Sequence, residues 1–538
     1  MSDYDTAFKH IDDFATKWMA ESGIPGMVIG ITNREETLRV STYGFADLAN
    51  KIPVTPETLF EIGSLGKPFT SISILQLCDE GKLDLHKPVQ EYLPWFQVQS
   101  EYSPITLHHL LNHTGGIVRG TDLAPYGLYE SWSLRNTKTT APPGEYFSYS
   151  NIGYKTLGFV LERITGQSLG DVIQSRVMEP LEMTQSYSIV TLETREKEAV
   201  GYCGIYDDRP EHISHDLVPA LWSEYGTGDG CEISTASDMA KYLRMLLNRG
   251  NGPQTRLISE ENFKRMTLHG IWTGGDYYGY GLATYPDKGR TYIGHGGGNA
   301  GYRSAIVVDM EAGIGVVFLL NRMGETDPVV TAAQYVLTVM SAETRGEEIP
   351  LIPPPDISTT VNNAEEYTGI YRSDEDEFFL ITENNKLIMR YKDENIILER
   401  RTLDSFYVNH PGFELFLIDF VRQDNVVVEA LHGSRWYKNE KYNGPKSFEY
   451  PETWDCYLGH YRTRNPELSN FRIVLHKDTL ALIIPWGTVE PLIPIGDNLF
   501  RIGQEPQSPE ILKFGSIIDG KSLLAEYSGC PYYRTFTP

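Results

Sequence analysis

The chain has 538 residues, 41% of them hydrophobic and 22% charged, which is ordinary globular composition and excludes fibrous and disordered classes. At roughly 150 residues per domain it holds more than three domain-sized units. Its 47 basic against 72 acidic residues leave a net charge of −25, a field that repels phosphate backbones and anionic membrane surfaces and weighs against nucleic-acid or membrane binding.

The first 22 residues carry acidic side chains where a signal peptide carries basic ones, and they lack a continuous apolar stretch. Phe8, Ile11, Ala15 and Trp18 recur at three- and four-residue steps, which predicts an amphipathic first helix and a cytoplasmic protein. No segment approaches the roughly 20 apolar residues of a membrane-spanning helix. Alternating stretches such as 26–32 and 304–310 predict strands, and 71–83 and 237–248 predict helices, so residues 1–345 read as a mixed α/β domain. Pro350, Pro353, Pro354 and Pro355 break both kinds of element and mark 346–363 as a linker.

Beyond the linker, short runs of Tyr, Phe, Ile and Val alternate with turn residues and the text repeats. Tyr367-Thr-Gly369-Ile-Tyr371-Arg372 returns as Tyr457-Leu-Gly459-His-Tyr461-Arg462, and Gly433-Ser-Arg-Trp436-Tyr437 returns as Gly529-Cys-Pro-Tyr532-Tyr533. Two antiparallel β-barrels are expected, at 364–440 and 455–538, because closing a sheet removes its exposed edges.

The five cysteines, Cys78, Cys203, Cys231, Cys456 and Cys530, are odd in number and scattered, as reduced structural thiols are. The histidines show no H-E-x-x-H spacing, and the cluster His108, His109 and His113 has no ligand pattern, so neither a metal nor another cofactor is expected.

Three short elements carry possible chemistry. Ser64 and Lys67, the single Ser-x-x-Lys of the chain, stand one turn apart at the start of an apolar-periodic helix, where a neutral amine can take the hydroxyl proton. Such an amine requires desolvation or neighbouring positive charge. Tyr149-Ser150-Asn151 follows a Pro/Gly-rich loop and offers a phenol as proton relay, although Tyr-x-Asn also occurs at 407–409 and 437–439. His295-Gly296-Gly297-Gly298 ends a short strand, where glycines admit a ligand close to free N–H donors. His113-Thr114-Gly115 is a rival third element on spacing alone.

The joint occurrence of these elements in this order, within stretches such as 43–70, 107–117, 142–154, 230–248 and 294–322, resembles the penicillin-recognising serine hydrolases, the superfamily of class C β-lactamases, D,D-peptidases, family VIII esterases and D-aminopeptidases. The resemblance runs from residue 10 to about 340 and makes His295, rather than His113, the third element. It implies a β-lactamase/transpeptidase-like catalytic domain, a mixed sheet flanked by helices with an all-helical subdomain, ahead of the two barrels. By this likeness Ser64 is the nucleophile, Lys67 its general base, Tyr149 the relay to the leaving group and His295 the electrostatic partner of the tyrosine. Asn151 would bind substrate together with Gly297 and Gly298, and the N–H groups of Ser64 and Gly298 would form an oxyanion hole.

Many members carry Lys-Thr-Gly where this chain has His295-Gly296-Gly297, and losing cation and hydroxyl leaves a substrate carboxylate less well paired. The histidine and the two-barrel tail resemble D-aminopeptidase, in which a loop of the distal barrel limits access to the site. The acidic run Asp374 to Glu377 is a candidate attractor for a substrate ammonium group. The expectation is therefore a D-stereospecific aminopeptidase or amidase acting on a small molecule or short peptide, a homodimer being compatible. A carboxylesterase or lactonase using the same residues, and a catalytically idle scaffold, are the alternatives.

Overall fold

In the computed structural model the described residues are 4–120, 127–268, 270–287, 289–324, 327–353, 358–465 and 468–536. They divide into two compact units, one of residues 1–204 and 216–353, the other of residues 205–215 and 354–538.

The first unit is built on nine strands: β1 (Gly26–Thr32), β2 (Thr37–Asp47), β3 (Ile52–Pro53), β4 (Ile271–Trp272), β5 (Tyr277–Tyr278), β6 (Ala283–Asp287), β7 (Arg290–Asn299), β8 (Tyr302–Asp309) and β9 (Ile314–Leu320). Their order in the sheet is β3-β2-β1-β9-β8-β7-β6-β5-β4. Every pairing among them is antiparallel, so the sheet is antiparallel where a mixed one was expected. Short hairpins, of two residues between β7 and β8 and of four between β8 and β9, join these strands, and connections this short permit only antiparallel neighbours.

All seven residues of β1 are buried, as are all seven of β9, because helices cover both faces of the sheet. On one face α1 (Asp5–Ser22) brings Ala7, Ile11 and Phe14 onto Val316 and Phe318. On the other, Leu243 of a later helix shares a core with Val28, Val317 and Leu319. Successive residues of β9 thus enter opposite cores, the period-two rule of a strand. Each such side chain contributes about 1.5–3 kcal/mol on burial.

Between β3 and β4 the chain forms the second half of the unit: α2 (Lys67–Asp79), α3 (Asn151–Thr165) and α4 (Ala236–Leu247), with shorter helices between them. It is helical apart from two small ladders, Phe60–Glu61 with Ile233–Ser234 and Tyr202–Gly204 with Leu217–Pro219. Helix α5 (Asp327–Arg345) closes the unit.

The second unit contains two closed eight-stranded antiparallel barrels, spanning Gly369 to Lys438 and Gly459 to Arg534. The repeat seen in the text has a structural job. Tyr371 Oη donates to the carbonyl of Tyr367 at 2.9 Å, and Tyr461 Oη to that of Tyr457 at 2.8 Å, so each barrel begins by tying its first strand to the turn before it. Asp374 to Glu377 closes the first hairpin, where Arg435 pairs with Glu375 and Asp376 and Arg372 with Glu377; these carboxylates are engaged within their own barrel.

A division by sequence position does not anticipate the segment Ile205–His215, which groups with the barrels although the residues on either side of it, Gly204 and Asp216, belong to the first unit. Its Asp207 accepts from Arg462, Ser469 and Asn470, Arg209 pairs with Glu414, and His212 stacks on Tyr407 at 4.7 Å while meeting Glu399. Of the expected linker 346–363, residues 354–357 lie outside the described residues. Among the described residues no cysteine is in a disulfide, and no helix is long and apolar enough to cross a membrane.

Candidate active site

Ser64 sits in a single 3₁₀ turn, Gly63–Gly66, that runs directly into α2 at Lys67, with Pro68 in its first turn. A 3₁₀ turn eclipses residues three apart, which brings the two side chains closer than an α-helical turn would. Lys67 Nζ lies 2.9 Å from Ser64 Oγ and donates to the carbonyl of Asp229 at 2.8 Å. The lysine side chain is fully buried, whereas Ser64 remains partly accessible.

Tyr149 reaches the same oxygen from the other side, its Oη 3.0 Å from Ser64 Oγ, and Lys67 Nζ stands 4.9 Å from the phenol ring centroid. Its position follows from the start of α3. Ser150 caps the helix by accepting from the Gly153 N–H, and its own N–H donates to His113 Nδ1 at 3.0 Å. Asn151 is buried in the first turn, and its N–H donates to the Arg119 carbonyl. The His113 ring lies 4.3 Å from that of Tyr149. Burial, aided by the Lys67 charge, holds His113 well below the ordinary histidine range, so it is a neutral spacer behind the phenol. The rival third element is thus a support for the second.

His295 lies on β7. Its Nε2 is 2.9 Å from Tyr278 Oη on β5 and its Nδ1 is 2.5 Å from the Gly296 carbonyl, which fixes the tautomer with the proton on Nδ1. Burial lowers its pKa to about 4, so the ring is neutral at pH 7. The electrostatic partnership with Tyr149 expected from sequence is not a direct bond: the two rings are 6.3 Å apart, and the hydrogen bonds of His295 go to Tyr278 and Gly296.

The glycines around this strand are needed for close approach. A Cβ on Gly297 would lie 2.1 Å from the Ile62 carbonyl, and one on Gly63, whose φ is +54°, would lie 2.6 Å from Gly298 N. The backbone N of Gly298 therefore lies beside the turn that carries Ser64.

Sequence reading missed the polar cluster beneath Lys67. Lys155, one helical turn after Asn151, pairs with Glu130 at 2.5 Å and stands 3.9 Å from Asp229, with both partners buried. Glu61, just before the turn, accepts from Asn299 Nδ2 at 2.9 Å and from Tyr225 Oη at 2.8 Å. Missed too was Arg119, whose guanidinium lies 5.6 Å from the Tyr149 ring. The only textual signal was charge within apolar helical stretches, as at Lys155 in 151–165.

His108, His109 and His113 do not converge, since they bond to Tyr280, Thr106 and Ser150 respectively. Among the described residues no group of three or more His, Cys, Asp or Glu side chains is placed to hold a metal ion.

A serine touched by a buried lysine and a tyrosine, between a helix start and the edge of an antiparallel sheet, defines a serine hydrolase of the penicillin-recognising superfamily. The chain belongs to the Beta-lactamase family, whose model matches residues 11–340. It is similar to Penicillin-binding protein 4 of Amycolatopsis lactamdurans, 28% identical over 317 residues that cover 56% of this chain and 82% of the relative. It is also similar to Penicillin-binding protein 4* of Bacillus subtilis (strain 168), 26% identical and covering 55% and 68%. Among solved structures, the octameric penicillin-binding protein homologue from Pyrococcus abyssi superposes with a TM-score of 0.57 at 27% identity, covering 79% of this chain and 98% of that one. That share exceeds the first unit alone. The D-alanine carboxypeptidase AmpC from Burkholderia cenocepacia, at 22% identity and a TM-score of 0.53 over 62% of this chain and 99% of that one, shares the fold.

Proposed function

We propose that this serine hydrolase is a D-stereospecific aminopeptidase or amidase that works through an acyl-enzyme on Ser64. Lys67 takes the Ser64 proton as Oγ attacks the carbonyl carbon, and the N–H groups of Ser64 and Gly298 receive the oxyanion. Tyr149 then passes a proton to the departing amine, and water hydrolyses the ester. Asn151 binds the substrate amide, Gly297 lets the strand lie against it, and His295 orders this edge of the site as a neutral ring. One oxyanion donor is worth about 3 kcal/mol in such sites.

The observation that carries the mechanism is Ser64 Oγ within 3.0 Å of both Lys67 Nζ and Tyr149 Oη. What supports an amide of an amino-terminal residue over a penicillin is the neutral His295, which offers no fixed cation to a substrate carboxylate at the third element. A second reading rests on Arg119: a guanidinium beside Tyr149 can receive the carboxylate of a peptide, which accords with relatives named penicillin-binding proteins.

A panel of D- and L-alanine amides, short acyl esters and benzylpenicillin, followed by mass spectrometry on wild type and Ser64→Ala, separates these. D-selective amide turnover with an adduct on Ser64 supports the proposal. An accumulating penicilloyl adduct favours the second reading, and ester turnover alone makes the protein a carboxylesterase or lactonase. No turnover and no adduct makes it a scaffold. Self-association is proposed on the octameric state of the Pyrococcus abyssi homologue, and light scattering on the purified chain tests it.

A further inference from the structure

Gly296, Gly297 and Gly298 leave β7 without side chains of its own at the edge of the site. Glycine backbone has the widest conformational freedom, so the placing of the Gly298 N–H falls to its neighbours. Two side chains cross from this edge to the residues just ahead of the Ser64 turn. Asn299, next after Gly298, donates from Nδ2 to Glu61 Oε2 at 2.9 Å, and Ser304 on β8, opposite Gly297, donates from Oγ to the Ile62 carbonyl at 2.7 Å. Glu61 is 5% exposed, Asn299 7% and Ser304 0%. The turn is held on its other side by 229–232. There the Glu232 carbonyl accepts from the Ile62 N–H at 3.0 Å, a Cβ on Gly230 would lie 2.1 Å from the Gly63 carbonyl, and one on Gly66 would fall 1.7 Å from Glu232 Oε2. What remains to be fixed is the strand, and the buried links that reach it have no part in the acyl-enzyme steps above.

We infer that Glu61, Asn299 and Ser304 are positioning residues that act through the Gly298 backbone: they bolt β7 to the Ser64 turn and so fix the spacing of the two N–H groups that receive the oxyanion. The inference rests on the proposed reading of Ser64 and Gly298 as those donors. An oxyanion hole works only if its donors are in place before charge develops, and a displacement of about 1 Å can cost about 10²-fold in rate. The links lie close to both donors in the chain. Asn299 follows Gly298, Ser304 pairs with Gly297 across the ladder, and Glu61 and Ile62 run directly into Gly63 and Ser64. Tyr225 supplies the control. Its Oη donates to the same Glu61 oxygen at 2.8 Å and accepts from Asn299 Nδ2, but its backbone is bonded to Val190 rather than to the strand or the turn. Were these contacts there only to satisfy a buried carboxyl, Tyr225 and Asn299 would be equivalent. A brace on Gly298 makes them unequal.

The test is fluorophosphonate labelling of Ser64, read as a maximal rate and a half-saturating concentration. In this reaction the Oγ–P bond forms, fluoride leaves, the serine proton passes to Lys67, and the phosphoryl oxygen gathers negative charge that the oxyanion donors receive. Asn299→Ala and Glu61→Ala should each lower the maximal rate about tenfold or more, with the half-saturating concentration within about twofold of the wild type. Tyr225→Phe should lower the thermal midpoint as Asn299→Ala does and yet keep the labelling rate. Glu61→Gln, which still offers an oxygen to both donors, should restore the rate that Glu61→Ala loses. Equal slowing by Asn299→Ala and Tyr225→Phe, a full rate in Asn299→Ala, or a change confined to the half-saturating concentration overturns the inference. Absence of any labelling of the wild type at Ser64 instead removes the acyl-enzyme reading beneath it. Should the Asn299 and Glu61 variants fail to fold, Ser304→Ala decides: it loses a single hydroxyl and should show the same fall in maximal rate, and an unchanged rate overturns the inference.

Discussion

The cores of the two units solve opposite problems. In the barrels, large aromatic side chains fill the interior, and the two tyrosines that open them, Tyr371 and Tyr461, each reach a carbonyl four residues back, with Phe378 and Phe471 packed against them as stacked rings. Beneath the Ser64 turn, Lys67, Lys155, Glu130, Asp229 and Glu232 are buried together, and Oδ1 of Asp229 and Oε2 of Glu232 accept no hydrogen bond among the described residues. Buried charge of this kind seldom stabilises a fold, since desolvation offsets the attraction. The contrast separates two kinds of core: the barrel interiors are largely aromatic, and the cluster beneath the Ser64 turn is polar and buried, the pattern that functional sites commonly show.

Substitutions can break this contrast from either side. The largest effect should come from Ser64→Ala, which lowers turnover by on the order of 10⁴-fold or more and abolishes fluorophosphonate labelling while leaving the denaturation midpoint in place. Lys155→Met strips Glu130 of its buried partner and should cost about 3–5 kcal/mol in denaturant titrations, an outcome that fails if the pair is solvated. Phe378→Ala, in a side chain 1% exposed, should cost a similar 3–5 kcal/mol, and labelling of Ser64 in the folded fraction should persist. Smaller is Tyr278→Phe. Losing the hydroxyl on His295 Nε2 should lower kcat/KM about tenfold with little change in stability, and the ring nitrogen should shift in histidine NMR spectra. Smallest are Tyr371→Phe and Tyr461→Phe, each expected to cost about 1 kcal/mol and no activity.

The pH dependence of stability sharpens the same comparison. Glu232 in the folded chain keeps its proton to about 8 rather than its ordinary 4.5, so the unfolded chain binds fewer protons between these values and stability falls as pH rises through them. His295, lowered from 6.5 to about 4, works in the reverse sense, and its contribution is lost as pH falls through that window. Glu232→Gln should therefore raise the thermal midpoint at pH about 8.5 and leave it unaltered at pH about 4. Equal shifts at both pH values would sink the assignment.

Legibility followed sequence distance. Ser64 and Lys67 were readable because one turn of helix relates them, and the barrels because their opening turn is written twice. Tyr149 and His295 became readable only jointly, through a resemblance over the whole first unit. Tyr278, Glu130, Lys155 and Glu232 were not readable, since each is placed by neighbours that only folding brings near; the Asp229 carbonyl that holds Lys67 is 162 residues away. The strap 205–215 was hidden for the same reason: its Asp207 and Arg209 read as loop charges until Arg462 and Glu414 are placed beside them.

By itself, then, the sequence determined the class of elements, the two barrels and the serine-lysine pair, because periodicity, repeats and i, i+3 spacing are local properties of a chain. Tertiary structure alone decided the antiparallel order of the sheet, the neutral state of His295 and the burial of the Glu232 carboxyl against the Ser64 turn. Those depend on which side chains lose water together, and desolvation is a property of the packed molecule rather than of any segment in it.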